Sequence, residues 1–151
     1  MLHLHVEGDL DAVYRIQMPV PRWPVDGQLQ LAATAIFHLH FEERWCRESP
    51  AGWMPLSLLE PTDPFAPNMA PGRRGATCLG ENLPPGILVR EIVLLGYHAV
   101  ALQTCQLDES DPAGVLNLEA CDYFRRHPEY LPLTHAGLLD DWQPPKSEVP
   151  S

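Results

Sequence analysis

Three residues set out a possible chemistry: Cys78, Asn68 and Asp111. Cys78 lies in Gly75-Ala76-Thr77-Cys78-Leu79-Gly80. Asn68 closes an Ala66-Pro67-Asn68 tripeptide upstream, and Asp111-Pro112 follows far downstream. A cysteine is both a good nucleophile and a good leaving group, so it can hold an acyl group as a thioester. Passing that group to an amine needs a donor for the oxyanion that forms. The carboxamide of Asn68 supplies one, or braces the loop that does. The attacking amine must also lose a proton, and a carboxylate such as Asp111 can orient and desolvate it. This division of labour calls for no histidine base, no metal and no cofactor.

Each part also has an ordinary explanation. A cysteine in a loop is commonly a small buried residue. Pro-Asn is common turn chemistry, and Asp-Pro starts many helices. The weight lies in the joint order and spacing of the three.

The elements that must position them follow from periodicity. Leu2, Leu4 and Val6 alternate with His3 and His5, and Tyr14, Ile16 and Met18 alternate with Arg15 and Gln17. A bulge or bend is expected near Gly8 to Asp11, and a turn around Pro24 to Gly27. Leu29, Leu31, Ala33, Ala35, Phe37, Leu39 and Phe41 then share one face of a half-buried strand, and Met54 to Leu59 forms another strand stopped by Pro61. Residues 60–86 carry prolines 61, 64, 67, 71, 84 and 85 with glycines 72, 75, 80 and 86, too many for a long regular element. A long ordered loop of this kind is usually functional. Helical spacing returns from Ile87 to Cys105, behind Pro84-Pro85. Asn117 is the expected N-cap of a helix from Leu118 to His127, which Pro128 ends. A last short helix is expected from Thr134 to Asp141. The layout is α+β: an antiparallel meander sheet with C-terminal helices packed on one face. Residues 1–142 form a single domain, and 143–151 a proline-rich flexible tail.

Bulk composition narrows the partners. A chain of 151 residues with 45% apolar residues fits one globular domain. Its net charge of −10 argues against nucleic acid, because only Arg73-Arg74 and Arg125-Arg126 form tight basic clusters. No apolar run is long enough to span a bilayer, and Met1-Leu2-His3-Leu4-His5 lacks the features of a secretory signal. Cys46, Cys78, Cys105 and Cys121 show no paired spacing, so cytoplasmic free thiols are expected. Lys146 is the sole lysine, so the folded part offers none of its own to a lysine-directed acyl group.

The stretch from about Gln28 to Pro128 resembles the core of ubiquitin-conjugating enzymes. Ala66-Pro67-Asn68 is similar to the family's His-Pro-Asn, and Gly75-Ala76-Thr77-Cys78-Leu79 to its Gly-x-x-Cys-Leu. Pro85-Gly86-Ile87-Leu88 is similar to the start of the helix after the active site. Asp111-Pro112, Asn117-Leu118-Glu119-Ala120 and Tyr123-Phe124-Arg125 are similar to its Asp-Pro, Asn-x-Glu-Ala and Tyr segments. The resemblance implies the family's fold and its activity. A ubiquitin-like protein would be taken from an activating enzyme as a thioester on Cys78, then passed to a lysine or other amine of a protein substrate, with Asn68 and Asp111 completing the site.

The departures are specific. Ala66 replaces the family's histidine, the interval from Asn68 to Cys78 is longer within Pro71 to Arg74, and no N-terminal helix precedes the first strand. In these respects the chain resembles divergent bacterial conjugating enzymes, which are similar to components of ubiquitin-like operons, some of them antiphage.

Three other readings compete. On the same fold, a non-catalytic module would bind a ubiquitin-like partner without carrying it. A cysteine hydrolase would pair Cys78 with a histidine such as His98. A metal site would need His3 opposite His40 and His5 opposite His38, on strands whose residue numbers sum to 43.

Overall fold

The computed structural model describes residues 8–49, 52–72, 75–80, 83–105, 107, 108, 110 and 115–140. Strand β1 (Leu10–Val25) and strand β2 (Gln28–Phe41) form a long antiparallel hairpin, and β3 (Leu56–Glu60) pairs with the other edge of β2. A 3-10 turn (Glu43–Cys46) follows β2. Helix α1 (Val89–Val100), helix α2 (Leu118–Arg126) and a 3-10 turn (Pro128–Tyr130) follow the long loop. The architecture is α+β, with a three-stranded antiparallel sheet in the order β1-β2-β3. The strand expected at Leu2 to Val6 and the tail from Gln143 lie outside the described residues.

The hairpin turns on Asp26-Gly27, both at positive φ, between the paired residues Val25 and Gln28. Two positive-φ residues make the turn that matches strand twist, which is why Asp-Gly serves here. β1 runs through Pro19, Pro21 and Pro24, the last of them inside the turn expected around Pro24 to Gly27. Two features tolerate them: β1 is an edge strand among the described residues, and its register shifts between Gln17 and Val20 and between Arg22 and Val25.

β2 does not keep the expected single buried face along its whole length. Ala35, Phe37, Leu39 and Phe41 point into the core, but Leu31 is 51% exposed and Ala33 is exposed as well. Leu29 and Ala32 pack against the core in the distal half of the hairpin.

The core gathers Phe37, Leu39, Leu56, Ile92, Val100 and Phe124, all almost fully buried. α1 is shorter at both ends than the expected Ile87 to Cys105. Its first turn is closed by Glu91, whose side chain accepts from the Leu88 amide at 2.9 Å. Gly96 lets α1 approach β3, because a β-carbon there would lie 2.2 Å from Leu56 Cδ2. α2 begins as expected, with Asn117 Oδ1 accepting from the Ala120 amide at 3.0 Å.

The helix expected from Thr134 to Asp141 is absent over the described residues. Residues 134–137 are irregular and 138–140 form a turn. Their carbonyls are already engaged: Gln103 Nε2 donates to Thr134 O and Ala136 O at 2.8 and 2.9 Å, and Tyr97 Oη donates to Ala136 O at 2.8 Å. A helix would need carbonyls in this segment for its own amides.

Candidate active site

The long loop contains more backbone pairing than its proline content suggests. Gly75 O accepts from the Leu58 amide at 2.8 Å, and the Thr77 amide donates to Leu56 O at 3.1 Å. Residues 75–77 thereby form a short strip along β3, with Ala76 opposite Ser57. On its far side Met69 lies opposite Thr77, and the Cys78 amide donates to Asn68 O at 2.9 Å. The sheet is thus extended past β3 by two short antiparallel strips, one carrying Cys78 and the other Asn68.

Gly75 makes this possible. It sits at φ +71°, and a β-carbon there would lie 2.0 Å from Leu58 O. Only a residue without a side chain fits so close to a neighbouring carbonyl. Thr77 is fully buried, with its hydroxyl donating to Gly75 O at 3.1 Å, so the strip just before Cys78 is fixed on its inner face.

The second strip is anchored at both ends. Phe65 is 1% exposed, its amide donates to Pro21 O at 2.8 Å, and its ring packs against Trp23, Tyr123 and Phe124. Pro67 O accepts from both the Leu116 and Asn117 amides, at 2.7 and 3.0 Å. Asn68 is therefore held between β1 and the start of α2. Ala66 is completely buried, and its carbonyl accepts from the Met69 amide at 3.1 Å.

Asn68 and Cys78 are joined twice. Besides the backbone bond, Asn68 Nδ2 donates to Cys78 O at 3.3 Å. Asn68 is 5% exposed, whereas Cys78 is partly exposed. The Cys78 amide is spent on Asn68 O, so it is not an oxyanion donor in this arrangement. A carboxamide nitrogen carries two hydrogens. With one directed to Cys78 O, the second is the donor that the Asn68 side chain still has. Asp111 lies outside the described residues.

The remaining thiols differ in setting. Cys121 is buried, with Sγ 3.1 Å from Leu107 O. Cys105 is half-buried, and burial pushes its thiol above the ordinary range, with the nearby Cys121 adding to this. Cys46 is exposed at the end of the 3-10 turn after β2, so accessibility alone does not single out Cys78.

His98 lines an open groove of about 380 Å³ with Pro84, Ile87, Glu91, Leu94 and Leu95. Cys78 is not among the residues lining it, and nothing in this setting suits His98 to be a base for that thiol.

The strand histidines pair otherwise than the metal reading requires. Asp11 lies opposite His40 and Val13 opposite His38 on β1, while on β3 Ser57 lies opposite His38 and the His40 amide donates to Pro55 O. Both edges of β2 are occupied there, which leaves no room for the pairing that sums to 43. His3 and His5 lie outside the described residues. Asp11 Oδ1 stands 2.9 Å from His38 Nε2 and 3.0 Å from His40 Nδ1. An ionised carboxylate only accepts, so both nitrogens turn a proton toward it. The hydrogen bonds from His40 and His38 hold the Asp11 carboxyl below its usual range, and the bond to Asp11 pushes His40 up. Among the described residues, no group of three or more His, Cys, Asp or Glu side chains is arranged to hold a metal ion.

Sequence reasoning named Asn68 and Cys78 and missed the residues that bring them together. Gly75 was visible only as one of many loop glycines, and the Pro67 carbonyl has no sequence signature. No helix among the described residues is long and apolar enough to cross a membrane. No family model, no curated protein and no solved structure matches the chain.

Proposed function

We propose that this chain is a conjugating enzyme for a ubiquitin-like protein, working through a thioester on Cys78. The observation that carries the reading is the reciprocal bonding of Asn68 and Cys78 at the edge of the extended sheet, with the asparagine buried and the thiol partly exposed. The resemblance to ubiquitin-conjugating enzymes supports it, including the order Pro67-Asn68, Cys78, Asp111-Pro112.

Two steps follow from this reading. In loading, Cys78 Sγ attacks the carbonyl carbon of the thioester on the activating enzyme. A new C–S bond forms on Cys78, the old one breaks, and the departing thiolate takes up the proton that Cys78 loses. In discharge, the amine nitrogen of a protein substrate attacks the same carbonyl carbon. The electron pair moves to oxygen and returns, the C–S bond breaks, and an amide is left. Asn68 Nδ2 is the side-chain donor beside that oxygen. Asp111 receives or orients the amine proton. The setting is a bacterial ubiquitin-like pathway in the cytoplasm, of the kind that includes antiphage systems.

The test is reconstitution with the cognate activating enzyme, ATP and the ubiquitin-like protein. The parent chain should acquire an adduct that thiol reductant removes, and Cys78→Ala should not. Stable non-covalent binding with no adduct would instead identify a binding module.

A further inference from the structure

We infer that Asn117 is a positioning residue of the Cys78 site, acting through the carboxamide of Asn68. The catalytic meaning of this assignment rests on the carrier reading above; its geometry does not.

Asn117 and Asn68, 2% and 5% exposed, are among the few buried polar residues of those described. Their backbones meet at one oxygen, because the Asn117 amide donates to the carbonyl of Pro67, the residue before Asn68. Each side chain has its orientation set by a different bond. Asn117 Oδ1 must face the Ala120 amide, which donates to it at 3.0 Å. Asn68 Nδ2 must face Cys78 O, which accepts from it at 3.3 Å. The atoms left over are Asn117 Nδ2 and Asn68 Oδ1, both buried and neither hydrogen-bonded to another described residue. One is a donor and the other an acceptor.

Leaving a buried polar atom unpaired costs about 1–3 kcal/mol. The two atoms are not within direct hydrogen-bonding geometry of each other, and one water molecule bridging Asn117 Nδ2 to Asn68 Oδ1 would satisfy both at once. It also fixes the plane of the Asn68 carboxamide. With that plane fixed, one Nδ2 hydrogen stays on Cys78 O and the other keeps a constant direction beside the thiol. The N-cap of α2 would then set the donor of the acyl-transfer site, which an ordinary cap has no reason to do.

The test separates capping from positioning. Serine and aspartate cap helices nearly as well as asparagine but lack its amide hydrogens. Asn117→Ser and Asn117→Asp should therefore fold, with α2 retained. Two readouts follow on each variant. The first is the Asn68 side-chain amide pair in a proton–nitrogen NMR correlation spectrum, which needs no activity. Both signals should shift, along with the Cys78 backbone amide. The second is the thioester on Cys78, which should load at the parental rate and discharge onto free lysine about tenfold more slowly, as expected for one lost hydrogen bond. Asn68→Ala combined with Asn117→Ser should discharge no more slowly than Asn68→Ala alone.

Unchanged Asn68 signals in both variants would overturn the inference. So would shifted signals with parental discharge. If the parent chain forms no thioester, the carrier reading falls, and the NMR result still decides whether Asn117 orients Asn68. Should the serine variant unfold, the aspartate variant carries the same measurement.

Discussion

Gly75 faces the Leu58 carbonyl so closely that a β-carbon would lie 2.0 Å from its oxygen. This approach lets residues 75–77 pair along β3 and delivers Cys78 to Asn68. Gly75→Ala should therefore do more than weaken a loop. The positive φ alone costs roughly 1–2 kcal/mol in a residue with a side chain, and the clash adds to it. The strip should detach from β3, exposing the Leu58 and Thr77 amides to hydrogen exchange while the β1–β2 ladder stays protected. A Gly75→Ala protein with parental exchange at both amides would mean that the strip tolerates the side chain.

Cys46 is more exposed than Cys78, so a reactive probe should label it readily. Thioester formation should follow position and not exposure. With the cognate activating enzyme, Cys46→Ser should load like the parent and Cys78→Ala should not load. A reductant-sensitive adduct that persists in Cys78→Ala and vanishes in Cys46→Ser would move the carrier role to Cys46.

Loading and discharge should separate at Asn68. An oxyanion donor matters when the amine attacks, and losing one typically costs about a hundredfold or more in rate. Asn68→Ala should load near normally and discharge onto free lysine slowly. Asp111→Ala should show the same split, with the defect reduced at high pH, where the amine deprotonates unaided. Parental discharge in both variants would remove these roles.

The Asp11–His38–His40 cluster should make stability depend on pH. The folded state holds the Asp11 carboxyl below its unfolded range, so that contribution exists above about pH 4 and fades as pH falls through the folded value. It also raises His40, so that contribution is complete below about pH 6.5 and is lost as pH rises through the folded value. The two overlap between about pH 4 and 6.5. In that window Asp11→Asn should lower the melting temperature most, with a smaller difference on either side. A difference that does not vary with pH would show that the cluster's ionisation is not coupled to folding.

Much of the framework was legible in local sequence, because its causes are local. Asp26-Gly27 can adopt two positive φ angles, so the hairpin turn was placed. Asn117 can accept from the amide three residues on, so the start of α2 was placed. Phe37, Leu39 and Phe41 alternate inward because a strand has period two. The types and order of Asn68, Cys78 and Asp111 were likewise enough to suggest acyl transfer.

The tertiary structure decided what depends on a partner distant in sequence. The prolines of β1 remain in a strand because β1 is the end strand of the β1-β2-β3 order and its register shifts twice. Leu31 is exposed although it shares the spacing of the buried Ala35, Phe37 and Leu39, because burial depends on what packs against each part of the hairpin. Residues 134–137 are not helical because Tyr97 and Gln103 hold carbonyls at Thr134 and Ala136. Above all, Asn68 meets Cys78 because Leu58 binds Gly75 on one side and α2 binds Pro67 on the other. A backbone amide or carbonyl is the same at every such residue. Composition and periodicity therefore do not record which of them will pair, and only the fold brings them together.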